Sequence, residues 1–160
     1  MGYFRRLGWM LTGKSKSRLP DEMAILGAPQ DLVGQACAAS DEIQEDLFIR
    51  FARGKHACML DWRATRDGIY EELVPILTAD EKRLLPSLAE LPEEADAAIA
   101  CIGKALRGSQ RALVHTESLG DSSFLILVPR NKESEFIKCV GPWLIAHDTQ
   151  FLSAQERNER

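Results

Sequence analysis

Apolar residues recur at three- and four-residue steps through most of this chain, and alternate or run together only in a few short stretches. The first rhythm is that of amphipathic helices, the second that of strands. Phe4, Leu7 and Leu11 share one helical face, before a polar stretch from Gly13 to Arg18 breaks the pattern. Pro20-Asp21-Glu22 reads as a helix first turn, where proline loses no hydrogen bond and acids complement the helix dipole; this short helix ends near Gly27. Pro29-Gln30-Asp31 opens a longer one, with Leu32, Val33, Ala36, Ile43, Leu47, Phe48 and Phe51 on its apolar stripe and Gly54 as its stop.

From His56 to Arg63 the period changes to alternation, which predicts a strand. Ile69, Leu73, Ile76 and Leu77 predict a helix over 67–77. Thr78 and Glu81 have capping-box spacing and start a short helix through Leu88. Pro92-Glu93-Glu94 begins another, burying Ala95, Ile99, Ile102 and Leu106 and stopping at Gly108. Residues 111–116 and 122–128 predict two strands joined as a hairpin by the polar 117–121 loop. The run from Phe124 to Val128 is apolar throughout, as in a central strand covered on both faces. Asn131 then caps a helix through about Leu144, and Thr149 to Ser153 is a last strand.

The order from residue 56 (strand, helices, strand, strand, helix, strand) predicts an α+β fold with a ferredoxin-like split βαβ antiparallel sheet and extra N-terminal helices. In that arrangement we expect the first and third strands to be central, neighbouring and parallel, with the N-terminal helices against the second face of the sheet. The expected organisation is a basic segment with short helices over 1–28, one domain over 29–153, and a charged tail over 154–160.

At 160 residues, 45% hydrophobic and 28% charged, the chain suits one globular domain and neither a disordered nor a fibrous one. No stretch approaches the ~18 apolar residues of a membrane span, and no secretory leader is evident, so the expected location is cytoplasmic. The net charge of −4 is unevenly spread. Residues 1–20 hold Arg5, Arg6, Lys14, Lys16 and Arg18 with no acid, which leaves 15 bases against 24 acids in the remainder. An acidic body repels a polyanion, so no nucleic-acid partner is expected. Cys37, Cys58, Cys101 and Cys139 have 20, 42 and 37 residues between them and mostly apolar neighbours. That pattern fits reduced core thiols, with no zinc or redox pair.

Gly8, Gly13, Lys14 and Ser15 match the letters G-x-x-x-x-G-K-[ST]. A phosphate loop needs a buried strand before it and a long helix after it. Only seven residues precede Gly8, and Pro20 follows soon after, so the match reads as coincidence. His56 and His147 show no metal-ligand spacing, and neither a metal nor a cofactor is expected.

Two groups of residues carry candidate chemistry. Asp61, Trp62 and Arg63 end a strand and offer an acceptor or base, a stacking wall and an anion clamp. Their plainer reading has Asp61 capping the next helix or pairing with Arg63 while Trp62 closes the core. The second group runs from His115 to Ser123 and includes Glu117, Asp121, Ser122 and Ser123. Alternation sets His115 and Glu117 on one side of their strand. A serine nucleophile needs a base within reach, and polar hairpin turns are common without any chemistry. With the first and third strands parallel, Asp61 and the 117–123 loop would lie roughly 15–20 Å apart at opposite sheet ends, at about 3.3 Å per residue. That geometry would exclude a dyad of Asp61 and Asp121.

Met59-Leu60-Asp61-Trp62-Arg63, followed by a Glu-rich helix, resembles an I-D-W-K element. Gly120-Asp121-Ser122-Ser123-Phe124, leading to Leu127-Val128-Pro129, resembles G-S-D-S-Y…L-V-P. A family of bacterial domains of unknown function pairs such elements in this order, and the likeness spans about residues 55–152. This chain has Arg63 for the lysine and Phe124 for the tyrosine. The resemblance implies no particular activity. The expected function is a non-enzymatic protein-binding or regulatory module acting through a protein partner or self-association. The alternatives are a small hydrolase or ligand-binding enzyme using the 115–123 loop, and a toxin-neutralising immunity protein, for which no residue is diagnostic.

Overall fold

The computed structural model describes residues 18–147 and the short strand Gln150–Phe151. The Tyr3–Leu11 pattern, the Gly8–Ser15 match, most of the basic lead and the 154–160 tail lie outside the described residues.

Three helices come first: α1 (Leu19–Ile25), α2 (Gln30–Cys37) and α3 (Asp41–Ala52). Pro20 sits in the first turn of α1 with Asp21 and Glu22, as its chemistry requires. The stripe from Leu32 to Phe51 is two helices rather than one. The chain breaks after Ala38, and Ser40 adopts an extended conformation ahead of Asp41 and Glu42, a start signal that the periodicity masks. Gly54 follows α3 with φ +80°, a left-handed conformation that costs glycine little, and reverses the chain into β1 (Ala57–Asp61).

Next come α4 (Arg66–Leu73), α5 (Ala79–Leu84) and α6 (Ala95–Ala105). Pro75 lies in a single 3-10 turn that closes α4 early. Thr78 and Glu81 form the expected capping box, each accepting a hydrogen bond from the other's backbone N–H, at 3.2 and 2.8 Å. The hairpin is β2 (Arg111–Glu117) and β3 (Ser122–Pro129). Helix α7 (Glu133–Val140) stops at Gly141, whose φ is +53°, ahead of Pro142. That early stop frees Leu144–His147 to form β4, which the sequence reading assigns partly to the helix, and β5 is Gln150–Phe151.

All neighbouring strands are antiparallel, in the order β1-β3-β2-β4-β5. The α+β class with an antiparallel sheet agrees with expectation, but the ferredoxin-like arrangement expected for it does not. β1 is an edge strand rather than a central one, and β4 lies beyond β2. The expected parallel pairing of the first and third strands is also corrected, because Ala57 to Asp61 pair antiparallel with Ile126 to Ser122. The cause is simple: the helices 66–105 return the chain so that β2 runs parallel to β1, and the hairpin then reverses β3 before it inserts between them.

Each face of the sheet carries a core. On one, Val114, Phe124, Ile126 and Val128 meet Met23 of α1, Phe48 of α3 and Phe136 of α7. Phe48 meets Phe124 edge-on at 5.3 Å. The described part of the 1–28 segment thus packs into the body, on the face expected for the N-terminal helices. On the other face Cys58, Leu60, Leu113, Leu125 and Leu127 meet Ile69 and Leu73 of α4 and Ile99 and Ile102 of α6. Residues 124–128 are buried throughout, the two-sided burial that an unbroken apolar run predicts.

Candidate functional site

The antiparallel β1–β3 pairing brings the two candidate groups together. Asp61 faces Ser122 and Leu60 faces Ser123, while Glu117 faces Ser123 from the other side. The C-terminal ends of β1 and β2 and the start of β3 therefore meet at one end of the sheet. A cavity of about 670 Å³ opens there, lined by Asp61, Trp62, His115, Glu117, Ser118, Gly120, Asp121, Ser122 and Ser123. Its apolar wall is Leu60, Ala64, Ile69, Ala95, Ile99 and Ile145, and Asp96 joins from the first turn of α6. The expected 15–20 Å separation of Asp61 from the 117–123 loop is overturned, and with it the exclusion of a shared site.

Buried polar groups form the floor of this cavity and exposed acids its mouth. His115 and Ser118 are buried, Glu117, Ser122 and Ser123 are half-buried, and Asp61, Asp96 and Asp121 are exposed. His115 Nε2 lies 2.8 Å from Ser123 Oγ. The two meet because they lie diagonally across the ladder: His115 is directly opposite Leu125, so Ser123 projects from the same face two residues along. Burial pushes the His115 imidazole down to about 4, opposed by the Asp96 carboxylate, so the ring is neutral at pH 7. His115 Nδ1 is buried without a hydrogen-bond partner.

The loop is fixed from several sides. Ser118 Oγ donates to the Ser122 carbonyl at 2.7 Å and accepts from Gly120 N–H at 3.2 Å. Leu119 N–H donates to Glu45 Oε2 of α3 at 2.8 Å. Arg18 Nη2 donates to the Glu117 carbonyl at 2.5 Å. The Arg18 side chain also lies 3.2 Å from Glu22 Oε2 and 4.6 Å over the Trp143 ring. The N-terminal helices thus act on the site from the opposite side of the sheet by holding its backbone.

Of the expected site residues, Asp61, Trp62, Glu117, Asp121, Ser122 and Ser123 line the cavity, and Arg63 does not. Asp61 Oδ1 accepts from Arg63 N–H at 2.8 Å in a tight turn, and Thr65, not Asp61, caps α4. Trp62 does not close the core; it is 69% exposed, with the Arg63 guanidinium 4.7 Å over its ring. Asp96 escapes the sequence reading because a first-turn acid is explained by the helix dipole alone. His115 is visible in the sequence as a member of the polar stretch, but its burial and its contact with Ser123 depend on β3 pairing.

No metal-binding cluster of histidine, cysteine or acidic residues occurs among the described residues, and no described helix is long and apolar enough to cross a membrane. No protein-family model, curated protein or solved structure matches the chain. The likeness of the two short elements to a bacterial domain family therefore carries no family assignment, and the cavity has to be read from its own chemistry.

Proposed function

We propose that this is a cytosolic ligand-binding module whose cavity at the end of the sheet takes one small polar molecule. The observation that carries this reading is convergence: residues from β1, β2, β3 and α6, distant in sequence, line one concavity whose floor is a neutral, buried imidazole in contact with a serine. Concave sites with an apolar wall and a few convergent polar groups are the usual form of small-molecule pockets. The free thiols Cys37, Cys58, Cys101 and Cys139 favour a reducing compartment. A regulatory role, in which an occupied cavity alters contact with a protein partner or a second copy, is compatible with this reading.

A second reading, hydrolysis with Ser123 as nucleophile and His115 as base, is favoured by the 2.8 Å contact between them. Two features weigh against it. A ring held near 4 is a weak base at neutral pH, and Nδ1 lacks the acceptor that orients the ring in serine hydrolase triads. The pair serves binding better than proton transfer.

NMR titration of the full chain with a mixed set of amines, sugars and amino acids tests the main reading. Binding should shift the His115 ring and Ser123 amide resonances together; a set that moves neither would end it. A fluorophosphonate probe that labels Ser123, with labelling lost in His115→Gln, would favour hydrolysis instead.

A further inference from the structure

We infer that helix α1 is a latch on the cavity: Arg18 is a positioning residue that fixes the shape of the β2–β3 loop, so that docking of α1 and the shape of the cavity wall form one coupled state. This rests on the ligand-binding reading above and adds the regulation of that site. The loop is the part of the wall open to such control, because Glu117, Ser118, Gly120 and Asp121 all line the cavity. Two side chains distant in sequence hold its backbone from the other side of the sheet. Arg18 Nη2 donates to the Glu117 carbonyl at 2.5 Å, and Glu45 Oε2 accepts from Leu119 N–H at 2.8 Å. The guanidinium also faces the carboxylates of Glu22, Glu45 and Glu117, which come from α1, α3 and β2. Arg18 therefore joins two helices to the strand end that carries the loop.

Packing alone does not account for a charge at this position. Arg18 and Glu22 have side chains 9% and 0% exposed, yet Arg18 Nη1 and Glu22 Oε1 have no hydrogen-bond partner among the described residues. A buried ion pair with atoms left unmatched recovers little of its desolvation cost, and an apolar pair of similar volume often packs a helix as well or better. What an apolar pair could not supply is the donor to the Glu117 carbonyl. Helix α1 is also only seven residues long, too short to keep its form away from the body, so its folding and its docking are one step. Undocking of α1 withdraws the Arg18 donor from the loop. By linkage, whatever orders the loop favours docked α1 by the same factor.

The test is amide hydrogen exchange of the full chain, read by NMR with no ligand added, so that its result is separate from the mixed-set titration. Arg18→Lys keeps the charge and loses the fork; it should speed exchange at the Ser118 and Leu119 N–H groups about tenfold. In the reverse direction, Ser118→Ala removes the hydroxyl that braces Ser122 and Gly120 within the loop. It should speed exchange about fivefold at the Glu22 and Leu26 N–H groups, which bond the Arg18 and Glu22 carbonyls in α1. Leu127 N–H, which donates to the His56 carbonyl inside the sheet, should change less than about twofold in both variants. Should Arg18→Lys fail to fold, Glu45→Gln on α3 takes its place and should speed exchange at both Ser118 and Glu22. An unchanged loop, an α1 that Ser118→Ala leaves unmoved, or an equal rise at Leu127 would each overturn the inference and leave the ligand reading to the titration. A titration that fails while the exchange result holds removes the ligand and leaves the coupling of α1 to the loop in place.

Discussion

Ser123 Oγ lies 2.8 Å from His115 Nε2, and that contact lies in the lining of the cavity at the end of the sheet. It exists because the hairpin places the two residues on one face of adjacent strands, and it persists because α4 and α6 bury that face. Its consequences are measurable without knowing the ligand.

The first concerns acid. The folded His115 titrates at about 4, against an ordinary value of 6.5. Above pH 6.5 neither the folded nor the unfolded form binds this proton, and the ring contributes nothing to pH dependence. Between 6.5 and 4 the unfolded chain takes up a proton that the fold refuses, so stability falls as pH falls, by on the order of 3 kcal/mol in all. His56, lowered by burial and by Lys55 and Arg111, acts in the same direction. Urea unfolding at a series of pH values should show this decline, and His115→Gln should flatten most of it between pH 4.5 and 6.5. An unchanged slope in the variant would refute the buried neutral ring.

Arg18 and Glu22 form a buried pair, with side chains 9% and 0% exposed. Burial lowers the guanidinium and raises the carboxyl from their usual ranges, each opposing the attraction between them. Arg18→Met should destabilise by about 3 kcal/mol, because it leaves Glu22 buried without its cation and removes a donor from the Glu117 carbonyl. The double variant Arg18→Met, Glu22→Leu should cost less than the sum of the single ones. Strict additivity in a denaturation cycle would show that the pair is not coupled.

At the opposite end of β2, Arg111 makes a two-pronged contact with Glu81, at 2.8 and 2.6 Å, and Nη2 also donates to the Ile76 carbonyl at 2.8 Å. Burial alone would raise the Glu81 carboxyl, but hydrogen bonds from Arg111 and Thr78 outweigh it and hold the group below its ordinary value. Its contribution is therefore complete at neutral pH and is lost as pH falls below about 4.5. Thr78→Ala should cost ~1 kcal/mol, the usual loss of an N-cap. Glu81→Gln should cost ~3 kcal/mol at pH 7 and clearly less at pH 3, as read by thermal unfolding.

The cysteines should separate by accessibility. Cys37 is exposed, whereas Cys58 is buried in the sheet and its thiol is pushed up to about 12, chiefly by burial. Iodoacetamide followed by peptide mass mapping should modify Cys37 in the native protein and Cys58 only on unfolding. Native labelling of Cys58 at a rate comparable to Cys37 would contradict the packing of β1 against α4.

Much of the local structure is legible in the residues. Pro20, Gly27, Gly54 and the Thr78–Glu81 box mark helix ends through chemistry confined to one turn, and each acts where its sequence context predicts. The apolar run 124–128 announces a strand covered on both sides for the same local reason. The errors fall where two signals compete. Helical periodicity hides the break at Ser40, and the pattern after Asn131 carries a helix past Gly141 and Pro142 into what is β4.

By itself the sequence determined most of the elements, the two-faced character of β3 and much of the acidic, serine-rich content of the future cavity, because these depend on side-chain chemistry and on neighbours a few residues away. Only the tertiary structure decided that Asp61 and Ser122 face each other, that His115 is buried against Ser123, and that Asp96 joins them. Strand direction reverses which ends of two neighbours coincide, yet a strand's alternation reads the same in either direction. The difference between two remote groups and one cavity therefore rests on long-range pairing and burial, which no short stretch of residues encodes.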